Sequence, residues 1–409
     1  MKNPKVLSDN IISKLGYKLE DIKKIRNTHT NTLKEFRSKP PEMVIAESRM
    51  TNTIRFTDGY TLKIKKGKRY LLDLLLFIDG YHAKLFKPTN RFIKYFKFWK
   101  GENLNNKKIL CWVYGGGIGD LFFVQPVLRY IKKKYPKSII ALVYPARHSI
   151  FTKHWDFIDE LYSSPVSDIP FMSSDYHLHF DGIINKCVES EKINVYKILA
   201  KWVNLDIPNK ELKPLQKIDM NRVEKCKKIL HGWNLNVPFL ILQLRASTIH
   251  RTPRPEFWLN LLNGLVNKGI SVVFVDQPKE SFTIDALIKK CNRPDLVYNF
   301  SPYSKDMGDA MAMIFLSKLV VSIDTGLIHI ASAIGKPTYG IYGPFPGKIR
   351  LETYDKCNWI DAPCDCAPCM SHSYSSCKHA IRGYPICYDK ININKLVNNI
   401  LEECKIKPL

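Results

Sequence analysis

KILCWVYGGGIGDLFFVQPVLRYIKKKYP, residues 108–136, decides the fold. After Lys108 the run 109–114 is apolar throughout, too short for a helix and continuous enough for a strand buried on both faces. Gly115, Gly116 and Gly117, with Gly119 one residue on, then make a loop. Residues 120–135 carry helical periodicity, and 138–144 read as a second buried strand. Strand, glycine loop, helix and strand in that order build a parallel sheet covered by helices.

Working outward toward the C-terminus, the first unit also holds a candidate strand at 177–180 and a helix at 194–202. The pattern restarts after Pro214. Helices are expected at 220–231, 255–268, 304–317 and 325–334, and strands at 239–244, 271–275, 319–323 and 338–341. Two consecutive doubly wound units place a ligand at the carboxyl ends of their strands. Toward the N-terminus, residues 1–49 are polar, basic and helical in period. Residues 50–106 contain short β-prone runs at 53–56, 60–65, 70–77, 83–86 and 92–98, punctuated by Asp58-Gly59, Gly67 and Asp79-Gly80. That is the pattern of a small antiparallel accessory module. The expected domains are therefore 1–49, 50–106, 107–214 and 215–409.

Composition sets the outer limits. At 409 residues the chain is long enough for several cores, and 45% apolar with 25% charged residues is ordinary for a globular protein. No run is long and apolar enough for a membrane span, and the opening MKNPKVLSDN has no signal-peptide character. The expected location is the cytoplasm, with peripheral attachment to the inner face of the membrane kept open. The 63 Lys and Arg against 38 Asp and Glu give a net charge of +25. That excess suits an anionic partner, which could be a phosphate-rich substrate, an anionic membrane face or nucleic acid; a lysine-rich compositional bias, with Asn and Ile abundant beside Lys, is the plain alternative.

Two stretches carry chemistry. In the first, Asp120 follows Gly116, Gly117 and Gly119 at a helix start, where a carboxylate is favoured by the dipole. A dinucleotide-binding fingerprint fails here, because Asp120 stands where its third glycine belongs. The second strand also ends in Pro145-Ala146-Arg147, without an acid for a ribose. Asp120 is either a plain helix cap or a general base for an acceptor hydroxyl. In the second stretch, Ser322 to His329, a buried strand passes into a helix at Asp324-Thr325-Gly326. Backbone N–H groups at such a helix start suit a diphosphate, and His329 lies one turn on, on the face of Thr325. A capped helix with a packed histidine is the plain alternative. The turn Tyr342-Gly343-Pro344-Phe345-Pro346 follows.

Gly119-Asp120 with Pro126 and the run 128–136 resembles the N-terminal signature of the family-nine glycosyltransferases, the heptosyltransferase family. Asp324-Thr325-Gly326 with His329, Ala331, Ala333, Pro337 and Gly343-Pro344 resembles that family's donor signature. The resemblance covers residues 107–400. It implies a GT-B fold, two Rossmann-like domains facing each other, here with the small N-terminal helical and β module added. It also implies inverting transfer of a sugar from a nucleoside-diphosphate donor, without a required metal. Asp120 would be the base. Donor contacts would come from Ser247, Thr248, Arg251, Arg254, Asp324, Thr325, Gly326, His329 and Gly343. The sequence departs from the family where a lysine usually precedes a Trp-Pro pair. Here Arg251 or Arg254 would have to supply that charge, through a fork instead of a point charge.

Five of the eleven cysteines, Cys364, Cys366, Cys369, Cys377 and Cys387, crowd one loop. Cys366, Cys369, Cys377 and Cys387 have a spacing suited to a tetrahedral thiolate site for structural zinc or iron. The plain alternative is a set of reduced thiols. The autotransporter-modifying heptosyltransferases, which this chain resembles, hold iron on such a finger, and both readings stay open. The donor sugar is left open, with ADP-heptose the first candidate. The acceptor is also open between lipopolysaccharide core, protein side chains and modified DNA bases. A nucleic-acid-binding protein on an inactive glycosyltransferase scaffold is the reading from another class.

Overall fold

The computed structural model describes residues 43–55, 61–73, 84–92, 97–113, 117–164, 166, 168–180, 183–186, 188–370 and 377–404. The expected helical segment before residue 43 lies outside them, as do Gly115 and Gly116 of the glycine loop. The chain forms two compact units. The first takes in residues up to 116 together with 127–190 and 197–207, and the second 117–126, 191–196 and 208–409.

In the first unit four parallel strands, β6 (Lys108–Trp112), β7 (Ile139–Pro145), β8 (Glu160–Ser164) and β9 (Tyr176–His179), stand in the order β8-β7-β6-β9. All of β6 after Lys108 is buried, as a strand covered on both faces must be. The order reverses between β6 and β9, so the glycine loop leaves β6 at the switch point of this sheet. Ahead of it, β1 (Met43–Ser48) pairs antiparallel with β4 (Arg69–Asp73) and β5 (Phe86–Phe92), and β2 (Asn52–Arg55) forms a hairpin with β3 (Thr61–Ile64). The β module thus begins at Met43, inside the segment expected to be helical. It is tied to the first unit by Ile45, which shares a core with Leu110, Trp112, Ala141, Val143, Val166 and Phe171.

In the second unit six parallel strands follow the order β12-β11-β10-β13-β14-β15. They are β10 (Phe239–Leu242), β11 (Ser271–Phe274), β12 (Val297–Asn299), β13 (Leu319–Ile323), β14 (Thr338–Tyr342) and β15 (Cys357–Asp361). Every residue of β10, β11, β13 and β14 is buried. The helix Pro255–Val266 buries Trp258, Leu261, Leu262 and Leu265 against this sheet, each worth about 1.5–3 kcal/mol on leaving water. Strand order reverses between β10 and β13, which puts Gln243 and Asp324, at their carboxyl ends, beside the crevice where open α/β sheets bind ligands. Capping marks the helix starts: Asp219 accepts from Asn221 N–H, and Asp306 from Gly308 N–H.

The helix Ile118–Lys134 is longer than either unit's share of it, and its first turns, 117–126, group with the second unit. Gln125 supplies the reason. Its side-chain amide donates to the Leu215 carbonyl at 2.5 Å and accepts from the Leu215 N–H at 3.0 Å, replacing a backbone partner. Among the described residues no helix is long and apolar enough to cross a membrane.

Candidate active site

Because 117–126 groups with the second unit, Asp120 and the Asp324–His329 stretch belong to one compact body. The helix Gly326–Ala333 starts against the glycine loop. A Cβ on Gly326 would stand 2.7 Å from Cβ of Ile118, and a Cβ on Gly119 3.3 Å from Cδ2 of His329. The room at Gly326 is therefore taken by Ile118, and this glycine answers to packing. Thr325 caps the helix through its hydroxyl, which accepts from Leu327 N–H at 3.2 Å and also bonds Gln243 and Ser322.

Arg251 is the arginine brought to Asp324. Its Nη1 donates to the Asp324 carbonyl at 3.0 Å and to Oδ2 at 3.1 Å, and its Nη2 to Ser247 Oγ at 2.6 Å. Thr248 Oγ1 lies 3.5 Å from Nε. Arg254 points elsewhere, its Nε donating to Asp389 Oδ1 at 2.8 Å. Gly343 backs the same loop, since a Cβ there would meet Cys387 Sγ at 2.7 Å and the Tyr388 ring at 2.9 Å. Tyr388 in turn donates its hydroxyl to the Arg251 carbonyl at 3.0 Å. Of the residues expected from the sequence, Asp120, Ser247, Thr248, Arg251, Asp324, Thr325, Gly326 and His329 fall within one network of contacts. Arg254 does not.

Three residues of this network carry no sequence signal. Arg350, only 4% exposed, lies over the rings of Phe345 (5.0 Å) and Phe123 (5.9 Å) and adds a second buried cation. Tyr354 and Tyr196 hydrogen-bond in series to His329, at 2.6 Å each. The resulting electrostatics are uneven. Burial raises Asp120 above the usual carboxylate range, opposed by the Gly117 N–H at 2.7 Å and by Arg350 and Arg251. Burial would raise Asp324 too, but Arg251, Arg350 and His329 outweigh it and hold the carboxyl low. His329 is pushed down to about 3 by burial, with Arg350 and Arg251 acting the same way against Asp324. A carboxyl raised by burial thus sits with an acid held ionised, two cations and a neutral imidazole.

The cysteine loop brings a further thiol beside the expected set. Cys366 Sγ lies 3.4 Å from Cys364, a residue outside that set, while Cys369 Sγ lies 3.7 Å from His250 Nε2. Cys387 is buried, and desolvation with the nearby thiols pushes it up to about 12. The Cys364–Cys366 spacing is shorter than the edge of about 3.8 Å that a thiolate tetrahedron with bonds of about 2.3 Å would have. Among the described residues no three His, Cys, Asp or Glu side chains converge to hold an ion. The thiols nonetheless neighbour one another: Cys364, Cys366 and Cys369 act on Cys387, and Cys364 and Cys377 act on Cys366.

Residues 184–377 match the model of glycosyltransferase family 9 (heptosyltransferase). No curated protein sequence matches the chain. Among solved structures, the family 9 glycosyltransferase from Veillonella parvula is 12% identical with a TM-score of 0.57, over 74% of this chain and 99% of that one. The ADP-heptose lipopolysaccharide heptosyltransferase II of E. coli is 16% identical with a TM-score of 0.55, over 73% and 98%. The iron-containing dodecameric glycosyltransferase TibC of enterotoxigenic E. coli is 10% identical with a TM-score of 0.50, over 90% and 92%. At these identities the likeness fixes the fold, and the family match makes the chain a glycosyltransferase.

Proposed function

Given a glycosyltransferase family 9 domain over residues 184–377, we propose that the chain moves a sugar from a nucleoside-diphosphate donor to an acceptor hydroxyl with inversion, and that Asp120 is the base. The observation that carries this reading is the grouping of Asp120 with Arg251, Asp324, His329 and Arg350 in one unit. The acceptor O–H gives its proton to the Asp120 carboxylate while its oxygen bonds to the anomeric carbon. The bond from that carbon to the diphosphate breaks, and the electron pair leaves on the phosphate oxygen. That developing charge needs preorganised donors, and the start of the helix Gly326–Ala333 with Arg251 and Arg350 supplies them. A raised Asp120 suits the task, because a base works best with a proton affinity near the working pH.

The donor proposed is ADP-heptose, the nucleotide sugar named for the E. coli structural neighbour, and the acceptor proposed is lipopolysaccharide core, whose phosphates suit a chain of net charge +25. Incubation of the protein with both, followed by mass spectrometry of the product, tests the pair directly. Asp120→Asn is expected to keep ADP affinity by calorimetry and to lose ~10²-fold or more in turnover. Turnover near that of the parent protein in this variant would remove Asp120 from the mechanism.

A further inference from the structure

We propose that Tyr354, backed by Tyr196, is a positioning residue that holds His329 as the Nε2–H tautomer, so that the imidazole offers a neutral N–H donor to an anionic ligand. The inference rests on the donor-site reading above and deepens it, since it concerns what His329 presents there.

The three side chains form a closed chain of short contacts. His329 Nδ1 lies 2.6 Å from Tyr354 Oη, and Tyr354 Oη lies 2.6 Å from Tyr196 Oη. All three are buried, at 2%, 6% and 0% exposure. Phe123 closes the clamp edge-on, with ring centroids 4.7 Å from His329 and 5.3 Å from Tyr196. The imidazole therefore has little freedom to rotate or flip. Burial keeps it neutral down to about pH 3 and pushes the Tyr354 phenol well above its ordinary value, so neither partner is ionised near neutrality.

A neutral imidazole has one N–H and one lone pair, and its second hydrogen bond settles which nitrogen carries the proton. A phenol O–H is a stronger donor than an imidazole N–H. The imidazole lone pair is in turn a stronger acceptor than a phenol oxygen. The favoured direction is therefore Tyr196 O–H to Tyr354 oxygen, and Tyr354 O–H to Nδ1, each bond strengthening the next. Nε2 then carries the hydrogen. The Cδ2–Nε2 edge faces the glycine loop, where a Cβ on Gly119 would lie 3.3 and 3.7 Å from those two atoms. The arrangement divides the work: Arg251 and Arg350 provide charge, while His329 provides a directed hydrogen bond without titrating.

The test is a two-bond proton–nitrogen correlation spectrum of histidine-labelled protein at pH 7, with His329 assigned by its loss in His329→Gln. The expected signal is a neutral Nε2–H ring with a hydrogen-bonded Nδ1. Tyr354→Phe should let the Nδ1–H tautomer reach a comparable population and weaken ADP binding by about tenfold, the scale of one misaligned hydrogen bond. Tyr196→Phe should retain the tautomer. An Nδ1–H ring in the parent protein would overturn the inference even if Tyr354→Phe folds poorly. So would an unchanged tautomer, or unchanged ADP affinity, in Tyr354→Phe while His329→Gln binds weakly. Unchanged ADP affinity in His329→Gln would instead sink the donor-site reading, leaving the tautomer result intact.

Discussion

Arg251 and Arg254 are three residues apart, both paired with aspartate, and the structure assigns them very different weights. The Arg251 side chain is 19% exposed and its partner Asp324 6%; for Arg254 and Asp389 the values are 30% and 21%. Removing Arg251 as Arg251→Met leaves the Asp324 carboxylate buried without its main cation. It also strips the donors that reach the Asp324 carbonyl, Ser247 and Thr248. Breaking a buried pair from one side costs about 3–5 kcal/mol, because the stranded charge has no water to turn to. Arg254→Met opens a partly solvated pair, worth about 1 kcal/mol or less. Urea unfolding at pH 7, followed by tryptophan fluorescence and far-ultraviolet dichroism, reads both costs on one scale. Asp324→Asn supplies the internal control: added to Arg251→Met it should recover stability, since the stranded charge is gone, whereas alone it should destabilise. Equal costs for the two arginines, or no recovery in the double variant, would refute the claim that Arg251 holds the buried charge at this helix start.

Three further outcomes are expected. His329, neutral in the fold down to about 3 against an ordinary 6.5, contributes stability that is complete above pH 6.5 and lost as pH falls toward 3. That amounts to about 5 kcal/mol over the window, so the parent should lose stability with acid more steeply than His329→Gln, and parallel urea midpoints in the two proteins would refute it. The acid limb of kcat/KM should lie above the ordinary carboxylate value because burial raises Asp120, and it should rise further in Arg350→Met, since that cation lowers the acid; a limb falling in Arg350→Met would contradict that cation's place beside Asp120. Gly326→Ala should cost about 1–3 kcal/mol by driving a methyl into Ile118, 2.7 Å away, and a neutral or stabilising effect in thermal unfolding would show that the two helix starts do not pack as described.

The sequence made the scaffold legible where the signals were local. The apolar run before the glycines gave β6, and Leu319 to Ile323 gave β13, because a strand buried on both faces has no polar positions to blur it. Strands β12 and β15 were invisible for the opposite reason: they lie at the two edges of the sheet, are only partly buried, and carry mixed residues such as Val297-Tyr298-Asn299. Asp120, Asp324 and His329 were legible because they sit at fixed offsets from glycines that punctuate helix starts. Arg350, Tyr354 and Tyr196 have no such punctuation. Arg350 lies on the four-residue helix Lys348–Leu351, and its role depends on Phe123, which lies far back in the chain. In the cysteine loop, spacing favoured the C-x2-C pair, whereas Cys364, two residues before Cys366, also lies within 3.4 Å of it, a contact set by the loop's path.

The same distinction explains why the two helix starts meet through glycines and not through polar side chains. Each start exposes N–H groups that carry partial positive charge, so bringing two together is unfavourable unless anions compensate. Asp120 answers the Gly117 N–H, and Thr325 answers the Leu327 N–H. Asp324 is already committed to Arg251, and Arg350 adds a further positive charge. His329 stays neutral, and burial raises Asp120, whose carboxylate form is the one proposed to take the acceptor's proton. Arg251 and Arg350 are the two cations near these acids, and burial keeps solvent from screening them. Under the proposed function, an anion entering this place would meet those two cations, and the same charges would stabilise its departure as a leaving group. Side chains longer than glycine at residues 119 and 326 would press the two starts apart, against His329 and Ile118 respectively.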